Sequence, residues 1–283
     1  DRTMSLLSRE QVAARLKQLP SLPAVVTRLL DSFANEEIDT AAIARQIAPD
    51  QGLTARVLRV ANSSFYGLQS RVGTINEAVV VLGFRAVRSM VLAVGVNGAF
   101  RADLCPGFDQ AAYLRHGVGT ALAARELASA AGHNPELAFT AGILHDIGQL
   151  VLAANFPTLY AQVIAHAQQQ DVDILSAERA VLGIDHTEAG SLLAASWRFP
   201  PALALAVSGH HAPPADAPGS LAGLVHVADA VAHALGLTGS KNEMVMPVDD
   251  DAWREAGVTP VALQVSLPRI VAGMDETCQA FSA

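Results

Sequence analysis

Seven residues in the second half of the chain have the side-chain chemistry of metal ligands. They are His116, His145, Asp146, His186, His210, His211 and Asp229. Neutral imidazole and carboxylate together suit Fe, Mn, Zn and similar divalent ions, and a carboxylate such as that of Asp146 can bridge two of them. Taken singly, each histidine has the simpler alternative of a core residue with a hydrogen-bonded ring. The set therefore predicts a site for one or two divalent ions, provided that the seven side chains converge.

Asp146 lies in an apolar stretch, residues 141–152, whose sequence is AGILHDIGQLVL. This pattern predicts a helix buried against the rest of the fold. Burial of a carboxylate without a partner is costly, so Asp146 requires a cation or a ring of imidazoles, and His145 beside it supplies one such group.

Helix signals in the sequence place the candidate ligands on several separate helices. Asn134 followed by Pro135 is a helix cap with proline at the first helical position, and it opens the helix that carries His145. Asp185 is a second cap, which puts His186 in the first turn of the next helix. Helices that each direct one or two ligands inward are a known way to build a metal site.

The remaining histidines have weaker claims to a functional role. His226 and His233 lie three and four residues from Asp229, on the same face of a predicted helix. They could support the ligands from behind, but solvent exposure is the favoured interpretation. His133 and His166 are predicted to lie on the surface.

The composition describes a helical globular protein. Of its 283 residues, 51% are hydrophobic and 16% are charged, and the formal net charge of −8 argues against a DNA partner because phosphate binding needs clustered lysine and arginine. Cys105 and Cys278 are far apart, so we expect reduced thiols and a cytoplasmic location. The most apolar window, 78–96, contains Arg85 and Arg88, which would be costly in lipid. It therefore predicts one buried helix and no membrane contact.

The distribution of histidine suggests how the chain is divided. Residues 1–105 contain no histidine, and all nine histidines fall between His116 and His233. We predict an N-terminal helical subdomain over 1–105, a subdomain carrying the metal site over 106–236, and a C-terminal helical tail over 237–283. The chain does not begin with a basic stretch followed by an apolar one, so no signal peptide is expected. We expect the chain to be part of a longer protein.

The order of the seven candidate ligands resembles the HD superfamily of metal-dependent phosphohydrolases, and the extended pattern of its HD-GYP branch in particular. The first half is more similar to the HDOD family, the HD-related output domain. The segments that carry this resemblance are LPSLPAVVTRLL (19–30), IAPDQGLTARVLRVANSSFYG (47–67), INEAVVVLGFRAVRSMVLAV (75–94) and ERAVLGIDHTEAGSLLAASWRFP (178–200). The resemblance implies an all-α fold, an HDOD-type helical bundle.

The departures from the HD-GYP pattern bear on activity. Those enzymes carry a lysine near the scissile phosphate, and Gln149 stands at the matching position here. The Gly-Tyr-Pro triplet is also missing after His210 and His211. Gln149 is thus the candidate substrate-binding residue, and Asp146 the candidate catalytic residue if the protein is an enzyme.

Three functional hypotheses remain open from the sequence. The resemblance to HDOD favours a bacterial signalling output module that binds a protein partner or a small nucleotide ligand and is joined to a sensory or receiver domain. The complete ligand set favours a metal-dependent phosphohydrolase acting on a nucleotide, with Asp146 bridging two ions. The third hypothesis is a packing scaffold whose histidines bind no metal.

One further segment, NSSFYG, contributes an apolar turn at the end of a predicted helix. Phe65 and Tyr66 are a candidate contact with a partner protein, as expected in a signalling module. The alternative is that both rings pack inward.

Overall fold

The computed structural model describes residues 7–18, 22–32, 40–100, 102–214, 219–239 and 244–282. These residues are helical with no β-strand among them, which confirms the all-α fold. The helices are α1 (Arg9–Leu16), α2 (Ala24–Asp31), α3 (Thr40–Ile47), α4 (Gln51–Ala61), α5 (Ile75–Leu82), α6 (Phe84–Asn97), α7 (Gln110–Ala131), α8 (Pro135–Leu144), α9 (Ile147–Asn155), α10 (Pro157–Gln170), α11 (Ile174–Leu182), α12 (His186–Ser196), α13 (Pro201–Gly209), α14 (Leu221–Ala234), α15 (Asp250–Glu255) and α16 (Pro260–Ser282). A short 3₁₀ turn, Ala102–Leu104, precedes α7.

Capping side chains start the helices that carry the site. The Asn134 side chain accepts hydrogen bonds from the Glu136 and Leu137 amides at the start of α8. Asp185 accepts from the Thr187 and Glu188 amides and so fixes where α12 begins. Both predicted helix starts are confirmed, because each cap satisfies backbone N–H groups that the helix itself leaves unpaired.

The central element of the bundle is α7. It packs against α8, α14 and α16, while α8 also packs on α6, and α12 packs on α9 and α1. The buried side chains of all these helices form one continuous hydrophobic core. The proposed division of the chain at residues 105 and 236 stays a prediction.

Two glycines allow the helices around the site to approach closely. A Cβ atom at Gly148 would lie only 1.8 Å from the His186 carbonyl oxygen, and one at Gly142 would lie 2.6 Å from the Cα of Ala121. Both contacts are with backbone that cannot move aside cheaply. They bring α9 against α12 and α8 against α7.

The window over 78–96 was predicted as one buried helix, and this is wrong. Gly83, with a φ of 87°, separates α5 from α6, since this backbone conformation ends a right-handed helix and favours glycine. Helix α6 is buried over most of its length, as expected, but Val80 on α5 is 84% exposed.

The stretch 141–152 is also not a single helix. Helix α8 ends at Leu144, and α9 begins at Ile147 after Asp146, so His145 and Asp146 lie at the junction. Within the described residues, Pro135–Asn155 is the one stretch apolar and long enough to cross a membrane by composition, but its most apolar window is 83% buried inside the bundle. This degree of burial is typical of a core helix in a globular domain.

The NSSFYG turn packs inward, so the alternative interpretation of Phe65 and Tyr66 is the correct one. The Arg125 guanidinium lies 4.4 Å from the centre of the Phe65 ring and 5.0 Å from that of Tyr66. Phe65 also stacks on Phe139 of α8, with 6.0 Å between ring centres. The turn therefore fastens the end of α4 to the two helices that lead to the site.

Candidate metal centre

The seven predicted ligands come from five places in the sequence and meet at one point in the bundle. The contributing elements are the middle of α7 (His116), the α8–α9 junction (His145 and Asp146), the first residue of α12 (His186), the end of α13 (His210 and His211) and α14 (Asp229). Their donor atoms fall into overlapping groups in which all atoms lie within 4.8 Å of one another. The convergence that the sequence required is present.

Asp146 lies at the centre and directs its two carboxylate oxygens toward different histidines. Its Oδ1 is 3.3 Å from the Nε2 of His186 and 3.3 Å from that of His210. Its Oδ2 is 3.4 Å from the Nε2 of His116 and 3.5 Å from that of His145. A carboxylate placed in this way has the geometry of a bridge between two cation positions.

The two remaining predicted ligands, Asp229 and His211, each lie against one of these two groups of histidines. Asp229 Oδ1 lies 3.2 Å from His116 Nε2 and 3.8 Å from His145 Nε2. On the opposite side, the Nε2 atoms of His186 and His211 are 3.0 Å apart. The His116 and His145 Nε2 atoms are also 3.0 Å apart.

Backbone and side-chain acceptors fix the orientation of three of the rings. The Nδ1–H of His145 donates to the Gly142 carbonyl at 2.6 Å, that of His210 to the Val207 carbonyl at 3.1 Å, and that of His186 to a carboxylate described below. Each Nε2 therefore faces Asp146, where it needs either a proton or a cation.

The donor set fits a divalent metal. His210 Nε2 and Asp229 Oδ1 are buried without a hydrogen-bond partner, which is unusual for polar atoms inside a protein. Ligand atoms about 2.1 Å from a common ion lie about 3 Å from each other, close to the N···N separations of 3.0 Å seen for both histidine pairs. These buried residues can hold a metal, and their chemistry does not single out one element.

In the absence of metal, protons balance the charge of the cluster. Burial disfavours a charged His116 ring, but the nearby carboxylates of Asp146 and Asp229 outweigh burial and raise its pKa to about 10. Burial is likewise outweighed at His186, where neighbouring carboxylates raise the pKa to about 9. Burial would raise the pKa of Asp146, but the surrounding histidines hold it well below its ordinary value.

The partner ring of each pair stays neutral. Burial lowers the pKa of His145 to about 4. Burial, with the neighbouring rings of His210 and His186, lowers the pKa of His211 to about 2. The His116–His145 pair and the His186–His211 pair thus each contain one charged and one neutral imidazole, so a metal would have to displace protons from the metal-free cluster.

Glu178 is a functional residue that the sequence reasoning missed. It is completely buried, and its Oε2 accepts hydrogen bonds from both the backbone N–H of His186, at 2.8 Å, and the ring Nδ1–H, at 2.6 Å. Its Oε1 accepts from the Tyr160 hydroxyl at 2.8 Å. A carboxylate behind a ligating histidine fixes the ring and raises its basicity. The sequence did contain a signal for Glu178, namely an acidic residue in an apolar predicted helix, eight positions before His186.

The predicted exposure of His226 is wrong. This ring is buried, donates from Nδ1 to the His210 carbonyl at 2.7 Å, and accepts at Nε2 from the Asp249 amide at 3.0 Å. It lies behind a ligand because α14 packs directly on α13. Asp249 also caps α15.

His233 joins the cluster, contrary to the favoured expectation of exposure. Its side chain is 24% exposed, its ring lies 4.7 Å from that of His116, and its Nε2 is 3.5 Å from Asp229 Oδ1. His133 is exposed as predicted, whereas His166 is half-buried.

A cavity of about 800 Å³ opens on the ligand cluster. Gln149 lines it, and its amide donates a hydrogen bond to Asp146 Oδ2 at 2.8 Å. The described residues that line the cavity include no lysine and no arginine. The amide predicted to meet a substrate is thus already engaged in holding the central carboxylate.

Comparison with known proteins now identifies the family. The family model described as "HDOD domain" matches residues 19–213, more than half of the chain. The chain belongs to the HDOD family. The matched region contains six of the seven predicted ligands, and Asp229 lies beyond its end.

Two solved structures share the fold of this HDOD domain. A protein from Shewanella amazonensis SB2B, provisionally named a phosphohydrolase, is 32% identical with a TM-score of 0.74, and the match covers 96% of this chain and 97% of that one. An HDOD domain protein with unknown function from Geobacter sulfurreducens is 22% identical with a TM-score of 0.78, covering 97% and 98%.

A curated relative extends beyond the HDOD domain. It is an uncharacterized protein from Treponema pallidum (strain Nichols), 22% identical over 202 residues. The match covers 71% of this chain but only 39% of the relative, so the chain spans about two fifths of that protein's length.

Proposed function

We propose that this HDOD domain is a signalling output module that binds divalent metal at the His/Asp cluster and has little or no phosphodiesterase activity. One observation carries the proposal: the cavity over the cluster has no lysine or arginine among its described residues, and the Gln149 amide is hydrogen-bonded to Asp146. Metal-binding residues are thus combined with a cavity that lacks protein groups suited to a phosphate.

The physical reason concerns the charge that develops during phosphoryl transfer. Hydrolysis of a phosphodiester needs positive or strongly donating groups placed where negative charge builds up. The neutral Gln149 amide is a weaker partner for that charge than an ammonium group. Its N–H already donates to Asp146 Oδ2, so a bound phosphate would have to compete for it.

Within this proposal the chain's own residues build a durable ligand set. Glu178 holds the His186 ring from behind, and His226 holds the backbone of His210. Asp146 and Asp229 supply negative charge that protons offset in the metal-free protein. One or two ions of Fe, Mn or Zn, when bound, would replace those protons and hold a ligand's charged group.

The biological setting is part of the proposal. The greater length of the Treponema pallidum relative supports a chain in which the HDOD domain is joined to a sensory or receiver domain. The module would then act in the cytoplasm by binding a small ligand or a protein partner. The net charge of −8 gives no support for a DNA partner, and the buried Pro135–Asn155 stretch gives none for a membrane.

The test is a hydrolysis assay on protein of measured metal content. We expect the metal-loaded chain to hydrolyse cyclic di-GMP negligibly, and Gln149→Lys to raise only a weak background because one added charge does not rebuild a phosphate site. Robust turnover by the unmodified chain that disappears in Asp146→Ala would overturn the proposal.

That outcome would establish the second candidate, a metal-dependent phosphohydrolase. The observation that favours it is the split of the Asp146 oxygens between two histidine groups. Two ions held by these residues would supply Lewis acidity to a phosphate. The provisional name of the Shewanella amazonensis relative also supports it. Assays with bis(p-nitrophenyl) phosphate and p-nitrophenyl phosphate extend the test to simple diesters and monoesters.

A further inference from the structure

The cavity over the cluster has a polar end and an apolar end. The polar end consists of the ligand cluster itself. The apolar end includes an aromatic wall formed by Phe108, Tyr113 and Tyr160, with ring centres 5.8 Å apart for Phe108–Tyr113 and 6.0 Å apart for Phe108–Tyr160. Ile164 and Ile174 also line the cavity. Such a wall favours the apolar or aromatic body of a ligand.

Apart from the histidines of the cluster, the charged residues that line the described part of the cavity are acidic. Besides the cluster carboxylates, the described lining includes Asp109 and Asp173. Asp109 caps α7 by accepting from the Ala112 amide, and Asp173 caps α11 by accepting from the Ser176 amide. Because both are fixed in place, an anionic group away from the cluster would face negative charge, with no lysine or arginine among the described lining residues to offset it.

Two methionines border the cavity beyond the helices. Met246 is half-buried and Met244 is more exposed, and both lie in a stretch without regular secondary structure. Methionine side chains adapt to ligands of irregular shape. The cavity volume of about 800 Å³ lies in the range typical of small-molecule sites.

We propose that the cavity binds an organic acid with one anionic head group and an apolar body. The head, a carboxylate or a phosphate-type group, binds at the metal-loaded cluster, and the body lies against the aromatic wall. This inference rests on the metal site of the proposed function. It disfavours a cyclic dinucleotide as the natural ligand, because its second phosphate would face the acidic, apolar end of the cavity.

The test uses isothermal titration of metal-loaded full chain, with metal content measured on the same sample. The probes are 4-phenylbutyrate and phenylphosphonate, each compared with the same head group on a small body, acetate and methylphosphonate, and with cyclic di-GMP. We expect each aromatic acid to bind about tenfold tighter than its small counterpart, because its ring leaves water for the apolar wall. The tighter of the two aromatic acids identifies the preferred head group.

Two neighbouring substitutions locate the binding. Met246→Asp places a charge in the cavity lining and should weaken aromatic-acid binding at least tenfold while leaving metal content unchanged. Val245→Asp adds the same charge at an adjacent residue that is 54% exposed and outside the lining, and it should have no effect.

Three results would overturn the ligand assignment while leaving the metal site intact. They are equal binding of aromatic and small acids, tighter binding of cyclic di-GMP than of either aromatic acid, and equal effects of Met246→Asp and Val245→Asp. A chain that takes up no metal would contradict the proposed function itself, and the ligand assignment with it.

Discussion

Replacing Glu178 by glutamine removes the negative charge behind His186 while keeping the size of the side chain. The amide oxygen can still accept from the His186 backbone and ring N–H groups, and the amide N–H₂ can donate to the Tyr160 hydroxyl oxygen. The substitution therefore removes the charge-assisted part of two bonds of 2.8 Å and 2.6 Å, while both bonds to His186 can still form.

The expected loss follows from the role of this carboxylate. Removal of a partner behind a ligating histidine typically lowers metal affinity by about 10- to 100-fold, or about 1.4–2.7 kcal/mol. Glu178 also helps to raise the pKa of His186 to about 9 against the effect of burial, so protons compete with metal in the unmodified protein at pH 7. In the glutamine variant, protons compete less strongly with metal for the His186 ring.

These two effects determine how the difference in metal affinity between the two proteins changes with pH. Above pH 9 the His186 ring is neutral in both proteins, so the full loss of affinity is visible. As pH falls, protonation weakens metal binding to the unmodified chain more than to the variant. The difference in log affinity between the two proteins therefore increases with pH.

The assay is competition with a chromophoric chelator at pH 7 and pH 9.5, with circular dichroism to verify folding. Tyr160→Phe is the matched control, since it changes the same carboxylate but leaves both bonds to His186, and it should reduce affinity by less than about threefold. If Glu178→Gln bound metal as tightly as the unmodified chain at both pH values, the orienting role of Glu178 would be refuted.

Three further predictions concern protons, packing and the NSSFYG turn. Metal binding at pH 7 should release close to two protons, because the pKa values of His116 and His186 are about 10 and about 9 in the metal-free state. Titration calorimetry in buffers of different ionisation enthalpy measures the number of protons released. A metal-binding reaction that releases no protons would contradict this prediction. Gly148→Ala should destabilise the fold by at least about 3 kcal/mol and abolish metal binding, because the added Cβ would lie 1.8 Å from a backbone oxygen. Denaturant unfolding measures this loss of stability. An unchanged unfolding curve would show that α12 can move aside freely. Phe65→Ser and Tyr66→Ser should each cost about 3 kcal/mol in thermal or denaturant unfolding, since both rings pack on the helices of the site; full stability with lost signalling would restore the partner-contact interpretation.

The elements that local chemistry determines were predictable from the sequence. Asn134 and Asp185 marked helix starts because a cap depends only on the few residues that follow it. The seven-residue set was found because imidazole and carboxylate side chains have few reasons to accumulate in apolar helices. The family resemblance then supplied the expectation that they converge, which residue spacing alone could not provide.

The features that the sequence reasoning missed depend on how distant helices pack. His226 looked like an exposed residue because nothing near it in the sequence indicates that α13 covers it. Glu178 is held by residues 8 and 18 positions away. The break at Gly83 was missed because one glycine in an apolar run is compatible with a continuous helix, and only the positive φ of the structure distinguishes the two cases.

The central claim is that the converged cluster holds metal, and the metal content of the purified chain tests it most directly. Elemental analysis should find one or two equivalents of Fe, Mn or Zn per chain, and Asp146→Ala should lose most of this metal while circular dichroism shows that the helices remain. A chain that contains no metal, takes none up from solution and folds equally well with Asp146→Ala would contradict the claim and leave the seven residues as ordinary core.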